Sequence, residues 1–552
     1  MQVLLTLASI LVGLTPVLAA SSNPTAKTVN GTYEGVHIAS YNQDAFLGIP
    51  YAQPPLGPLR FRWPRSLDKS FSGTKSAKAY GYSCYQYGSH FNLSEDCLTL
   101  NVVRPSGYEH AALPVLVWIY GGGLFAGSSA DPSYNLSGIV HVSQQIGKPI
   151  VAVSINYRLG MWGFLQSPEI VAEGSSNAGL LDQRMAFRWL QENVAAFGGD
   201  PSKVTIWGES AGAQSIGYQL FSYAGRNDGL FRGAIMESGG PEGTSVQDLV
   251  YYLPPYENLT RTVGCWTAVD QLACLRNLSS AELFASHPSQ VWNPLIDGDF
   301  LPSYPSQVID KGEFIKTPLL IGANSDEGTS FSIPSVDNDT SLFQNLLTWR
   351  GYGLSPPTIR KLMELYPNDN TSPKPPYHVP PDVVFPQLGL EWRRTAWMGG
   401  DMVMIGQRRK MCEAYTSYGV DIYSYRFDTT PFNVSNSTGA AHGTNVAFSF
   451  QNVSGTLGPL PQYENYRELS QGIGRAYINF AYSQNPNGGS SGSGYGSGSS
   501  GVAQLPYWPL YDLGKPEEIV LNANKTYVES DTYRKEQIDF INQEMVWREL
   551  LA

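Results

Sequence analysis

Ser210 stands between two glycines, Gly208 and Gly212, at the end of a stretch that reads FGGDPSKVTIWGESAG from Phe197. Its hydroxyl becomes a useful nucleophile only when it is lifted clear of its surroundings and a base waits within hydrogen-bond reach. The flanking residues meet the first condition. Lys203 to Trp207 is a short apolar run with β-branched residues, and a helix start follows Gly212, which puts Ser210 at the apex of a strand, sharp turn and helix. Glycine at 208 and 212 suits a turn that forces backbones together, where any Cβ would collide. The same turn leaves the Ala211 amide at a helix N-terminus, where unpaired donors and the positive end of the dipole suit a developing oxyanion. A bare GxSxG also recurs in ordinary Gly-rich turns, and the strand before it and the FGGDP turn upstream separate this one from that background.

The second condition is a histidine oriented by a carboxylate. On folds with such an elbow the chain order is serine, acid, histidine. Three histidines follow Ser210: His287 among short helical pieces, His378 in the turn KPPYHVPP, and His442 in a Gly/Ala/Thr-rich loop after a strand over Val420 to Phe427. Loops at the carboxyl ends of strands carry chemistry, which favours His442. Asp326 and Glu327 both stand just past a strand over Thr317 to Gly322, and the residues alone do not choose between these carboxylates.

The elements that must position these groups read as an α/β body. Leu113 to Tyr120, LPVLVWIY, is apolar at every position and runs into Gly121, Gly122 and Gly123. Such a run is a strand covered on both faces, in a large, mostly parallel mixed sheet flanked by helices. Pro149 to Tyr157 repeats the signal, Gly233 to Met236 is another buried strand, and Leu181 to Ala195 reads as a helix. Thr32 to Pro64 carries short strands and then a proline-rich extended piece; Asn338 to Pro386 is proline-rich and expected as loops and short helices near the site. Closing helices are expected over Tyr466 to Tyr482 and Thr532 to Leu551, and residues 487–501, almost all Gly, Ser and Asn, as a flexible surface loop.

Residues 1–19 are an apolar run followed by small residues, expected as a cleaved secretory signal, with 20–552 as one domain carrying loop and helical insertions. No later stretch reaches 18 consecutive apolar residues, so no integral membrane contact is expected. Sequons at Asn30, Asn92, Asn135, Asn258, Asn277, Asn338, Asn370, Asn433, Asn436, Asn452 and Asn524 suit a secreted chain with N-linked glycans. The cysteines agree: the short spacings pair Cys84 with Cys97 and Cys265 with Cys274, leaving Cys412 free. Each such bridge is worth about 2–3 kcal/mol at best. A net charge of −11 argues against nucleic acid as a partner and points to a neutral or cationic substrate.

FGGDPSKVTIWGESAG resembles, over its full length, the serine signature of the type-B carboxylesterase/lipase family, which includes fungal secreted esterases and lipases, cholinesterases and vertebrate carboxylesterases. Glu95 to Val102, EDCLTLNV, is similar to the second signature of that family, and FLGIPYAQPPLGPLRF, WIYGGG, NYRLGMWGFL and SDEGT are similar to further blocks. The resemblance covers nearly the whole chain after residue 19. It implies an α/β-hydrolase fold and an enzyme without cofactor or metal. It also implies Ser210 as nucleophile, Glu327 rather than Asp326 as acid, His442 as base, and Gly122, Gly123 and Ala211 as oxyanion donors. Glycine suits that last role because two successive amides must turn toward one point.

Three departures stand out. An acidic residue is usual three positions after the histidine, and Asn445 stands here; Phe commonly follows the triple glycine, and Leu124 stands here. The loop between Cys84 and Cys97, much longer in related lipases and cholinesterases, holds only YQYGSHFNLSED, with no Trp. Too short for a lid, it points to short- to medium-chain or aromatic esters as small-molecule substrates. The alternatives are a lipase acting on long-chain acylglycerols, which the short loop disfavours, and a non-catalytic adhesion or binding protein, which would typically have lost the serine.

Overall fold

A computed structural model describes residues 23–543 and Val546, apart from 89–90, 242–245, 287–291, 352, 453–462 and 489–500. The expected signal over 1–19, His287 and most of the 487–501 loop lie outside the described residues.

Eleven strands form the main sheet: β1 (Val36–Ile38), β2 (Gln43–Pro50), β3 (Thr99–Pro105), β4 (Leu113–Ile119), β5 (Val151–Ile155), β6 (Gly199–Glu209), β7 (Gly233–Glu237), β8 (Leu319–Asn324), β9 (Ile422–Phe427), β10 (Glu517–Leu521) and β11 (Tyr527–Ser530). Their spatial order is β11-β10-β9-β8-β7-β6-β4-β5-β3-β2-β1. Strands β4 to β10 run parallel to one another, and antiparallel pairs close both edges, as expected of a mostly parallel mixed sheet. β4, β5, β7 and β8 are buried at every residue because helices cover both faces, which is why their sequences do not alternate. A three-stranded sheet of Thr25–Thr28, Gly31–Glu34 and Thr74–Ser76 lies apart from the main one.

Helices α1 (Ala178–Asn193), α2 (Ala211–Gly225), α3 (Leu249–Thr262) and α4 (Glu464–Ser483) are the longest. α1 begins three residues before Leu181, and Asp182 in its first turns pairs with Arg158 inside the core (2.7 Å). Of the closing helix expected over Thr532 to Leu551, the described residues show Lys535–Ile541, after which the Asn542 side-chain amide donates to the Gly406 carbonyl oxygen (3.1 Å); residues 544–545 and 547–551 lie outside the described residues. The proline-rich stretch after Asn338 contains two helices, Asp339–Leu346 and Pro356–Leu365, before it becomes irregular.

Candidate active site

β6 carries Ser210 to the carboxyl edge of the sheet and α2 starts at the next residue. A Cβ on Gly212 would lie 2.0 Å from the Ile119 carbonyl oxygen, and one on Gly208 would lie 2.7 Å from the Gly212 carbonyl carbon, so both glycines are sterically required. Ser210 itself takes φ 56° and ψ −124°, a conformation that costs a non-glycine residue about 1–3 kcal/mol. Its amide donates to the Glu237 carbonyl oxygen at 2.9 Å, which holds the strained turn against the end of β7.

β4 delivers the glycine run to the same place. A Cβ on Gly121 would meet the Glu209 carbonyl oxygen and the Ser210 Cβ at 2.8 Å, so this loop lies directly on the elbow. Gly122 and Gly123 follow with φ of 97° and 64°. Among the described residues no acceptor is paired with the amides of Gly122, Gly123 or Ala211. Ala211 is the first residue of α2 and has no acceptor within its helix. The loop is braced from behind by Gln86, which accepts from the Gly127 amide (2.9 Å) and donates to the Gly127 carbonyl oxygen (2.7 Å). Leu124 is buried at 1% exposure.

The loop after β9 brings His442 to this point. Its Nε2 lies 2.8 Å from Ser210 Oγ and its Nδ1 lies 2.6 Å from Glu327 Oε2. Glu327 is fully buried, and its other oxygen accepts from the Asn324 amide at 2.7 Å. His442 stays 16% exposed, enough for a substrate to reach it. Burial alone pushes the imidazole down, but the Glu327 and Glu209 carboxylates more than offset it and hold the ring up at about 9. Glu209 Oε1 sits 3.4 Å from His442 Nε2 without a hydrogen bond, since that nitrogen is aimed at Ser210. Burial raises Glu209 to about 7, with the His442 cation opposing and Glu327 and Glu237 adding to the rise. Phe331 lies against the ring at 4.9 Å between centroids, and the Arg350 guanidinium lies over Phe331.

Asp326 does something else. Its two oxygens accept from the amides of Ala440 (2.7 Å) and Tyr377 (2.8 Å), tying the histidine loop to the proline-rich segment. Burial raises it to about 6 against those two bonds. His378 is exposed on its turn. A second set of the same residue types, Ser106, His37 and Asp44, also meets, yet Ser106 Oγ and Asp44 Oδ1 both approach His37 Nδ1 at 3.1 Å. One nitrogen cannot both take the serine proton and hold the acid, so this cluster has no relay. Two groups around the Ser210–His442 cluster carry no signal in the sequence motifs read above: Glu237 and Asn324, both at strand ends.

The disulfides join Cys84 to Cys97 and Cys265 to Cys274, and Cys412 is a buried free thiol raised by burial to about 12. Within the first loop Tyr85 stacks on Trp162 and Tyr87 stacks on Phe284, with centroids 4.9 and 4.5 Å apart.

Comparison with known proteins follows the same lines. A family model described as the carboxylesterase family matches residues 22–541. The chain is 33% identical over 584 aligned residues to lipase 2 of Geotrichum candidum, covering 96% of each chain. It is 31% identical to a secreted triacylglycerol lipase of Gibberella zeae, covering 94% of this chain and 90% of that one. Among solved structures it superposes on EstA of Aspergillus niger with a TM-score of 0.82 at 28% identity, over 96% of this chain and 99% of that one.

Proposed function

The chain belongs to the carboxylesterase family and is a carboxylic ester hydrolase, and from that premise we propose that it acts through Ser210 as nucleophile, His442 as base and Glu327 as the acid that orients it. Ser210 Oγ attacks the ester carbonyl carbon while His442 Nε2 takes its proton. Collapse of the tetrahedral intermediate expels the alcohol, which receives that proton, and water repeats the sequence on the acyl-enzyme. Gly122, Gly123 and Ala211 receive the oxyanion, and loss of one such donor typically costs about 3 kcal/mol in the barrier. The observation that carries this reading is the chain of contacts from Ser210 Oγ through both ring nitrogens of His442 to Glu327.

The substrate class in this reading is soluble short- to medium-chain or aromatic esters, met outside the cell by a glycosylated, secreted enzyme. Support comes from the Cys84–Cys97 loop, which is stacked and hydrogen-bonded in place and too short to roof the cleft. Rates on nitrophenyl esters from acetate to palmitate test it, with Ser210→Ala as the inactive control. A second reading, a lipase on long-chain acylglycerols, is favoured by a different observation. Val250, Tyr251 and Leu253 on α3 are 69%, 44% and 41% exposed, and the Tyr251 hydroxyl lies beside Gly351, next to the Arg350 that covers Phe331. An apolar rim of that kind suits an oil surface, and two of the relatives above are named lipases.

A further inference from the structure

Glu237 closes β7 with no exposed surface, and the mechanism above does not use its carboxyl group. Taking a carboxylate out of water is costly unless its oxygens are fully satisfied. Among the described residues no lysine, arginine or histidine pairs with it; it is held by neutral donors. Oε2 accepts from Asn445 Nδ2 at 3.0 Å, and Oε1 accepts from the Ser449 hydroxyl at 2.7 Å and from the Tyr477 hydroxyl. Asn445 caps the start of the short helix Val446–Ser449 that follows His442, and Ser449 is its last residue. The backbone carbonyl of the same residue holds the Ser210 amide. One residue therefore touches the nucleophile's elbow through its main chain and the histidine loop through its side chain.

The network continues beyond it. Asn445 Oδ1 accepts from Asn324 Nδ2 at 3.0 Å, and that same amide donates to the Ala441 carbonyl oxygen. The backbone amide of Asn324 donates to Glu327. Three strand ends, those of β6, β7 and β8, are thereby fastened to the loop that carries the base. Without Glu237 the hydrogen bonds from Asn445 and Ser449 to β7 would be gone, and Asn445 would face β7 with an unpaired buried N–H, a loss of the kind that costs about 1–3 kcal/mol.

From this geometry we infer that Glu237 is a positioning residue for ester hydrolysis, locking the His442 loop to the Ser210 elbow and supplying from β7 the carboxyl group that the loop lacks at Asn445. The inference rests on the reading of Ser210 and His442 as nucleophile and base. It depends on direction: Asn445 gives an N–H to Glu237 and takes one from Asn324, so across the 237–445 contact one side must donate and the other accept.

Reversing the pair tests it. Asn445→Asp sets two carboxyl groups face to face and should lower kcat by about tenfold or more, with KM within about twofold, because a displaced base slows chemistry more than binding. Glu237→Gln alone should be the milder change, since its amide can turn to pair one side. In the Asn445→Asp background, however, Glu237→Gln should raise kcat, returning it to within about threefold of the parent, because donor and acceptor have only exchanged places. A merely structural role predicts that the second substitution adds damage instead of repairing it. Rates are taken per active site titrated with a fluorophosphonate, which removes any misfolded fraction. If the reversed pair does not fold, Ser449→Ala removes one donor from the loop side and should lower kcat about threefold at constant KM. Parental kcat in Asn445→Asp or in Ser449→Ala, or no repair in the reversed pair, overturns the inference while an inactive Ser210→Ala leaves the nucleophile standing. An active Ser210→Ala overturns both.

Discussion

Asp326 and Glu327 are neighbours in the chain, yet their carboxylates meet the histidine loop at different places: Glu327 Oε2 lies 2.6 Å from His442 Nδ1, whereas Asp326 Oδ2 takes the Ala440 amide at 2.7 Å. The short helical turn Glu327–Ser330 begins between them and sends the two side chains in different directions.

The two substitutions should therefore separate cleanly. Glu327→Gln should lower kcat by orders of magnitude, because the ring loses its tautomer control and the partner of its cation, with little change in thermal stability at pH about 9 and above, where the ring is neutral. Asp326→Asn should keep kcat within about tenfold and lower stability by about 1–3 kcal/mol, since one of two buried backbone amides loses its acceptor. The reverse pattern, read by steady-state kinetics and melting curves, would mean that Asp326 is the acid.

The raised pKa of His442 sets the pH dependence. The base must be neutral, so kcat/KM should climb with pH toward about 9, the value at which Glu327 and Glu209 hold the ring. The linked stability has the opposite sign: the folded value lies above the usual 6.5, so the attraction contributes fully below that and fades as pH rises toward about 9. Glu209→Gln removes one of the two carboxylates and should move the acid limb of the kcat/KM profile to lower pH. A limb that stays in place, or moves up, would show that Glu209 does not act on the ring.

What the sequence made legible followed from local constraint. Gly208, Gly212 and the run at 121–123 announce their turns because the backbone there leaves no room for a side chain, and that requirement lies within a few residues. All-apolar runs such as Leu113–Ile119 announce a sheet covered on both faces in the same way. The choice between Asp326 and Glu327 was not legible from residues alone, since both follow the same strand and only side-chain direction decides. Glu237 was still less visible. It ends the apolar strand GAIME, and the partners that satisfy it, Asn445, Ser449 and Tyr477, lie 208 or more residues further on. The absence of an acid at Asn445 was readable, whereas its replacement from another strand required the fold.

Burial sorts the sequons. Asn452 is 4% exposed, and the Asn30 side-chain amide donates to the carbonyl oxygens of Leu67 and Lys69, whereas Asn92, Asn258, Asn277, Asn338, Asn370, Asn433, Asn436 and Asn524 are exposed. In a chain exported by a eukaryotic host, glycans should be found only within the exposed set, and peptide mapping after enzymatic deglycosylation should leave Asn452 unconverted. A glycan on Asn452 would require that turn to be open while the sugar is added.

A lidded lipase gains activity at an oil surface because opening the lid exposes apolar area, which costs about 25 cal/mol per Å² in water and far less against oil. In this chain the Cys84–Cys97 loop is fastened at several points: the disulfide, the Tyr85–Trp162 and Tyr87–Phe284 stacks, and the two bonds from Gln86 to Gly127. Opening it would also pull on the glycine run that abuts Ser210. Rates on tributyrin or nitrophenyl butyrate should therefore rise hyperbolically and saturate below the solubility limit, with no break when droplets form. A sharp rise only on emulsified long-chain triacylglycerol would decide for the lipase reading, with the exposed α3 rim at Val250, Tyr251 and Leu253 or the disulfide loop as the element that responds to the surface. The two rims can be told apart by substitution. Polar residues at Val250 and Leu253 should abolish such a rise while leaving rates on soluble esters unchanged, whereas opening the disulfide with Cys84→Ser should lower rates on both, since it loosens the support of the oxyanion loop.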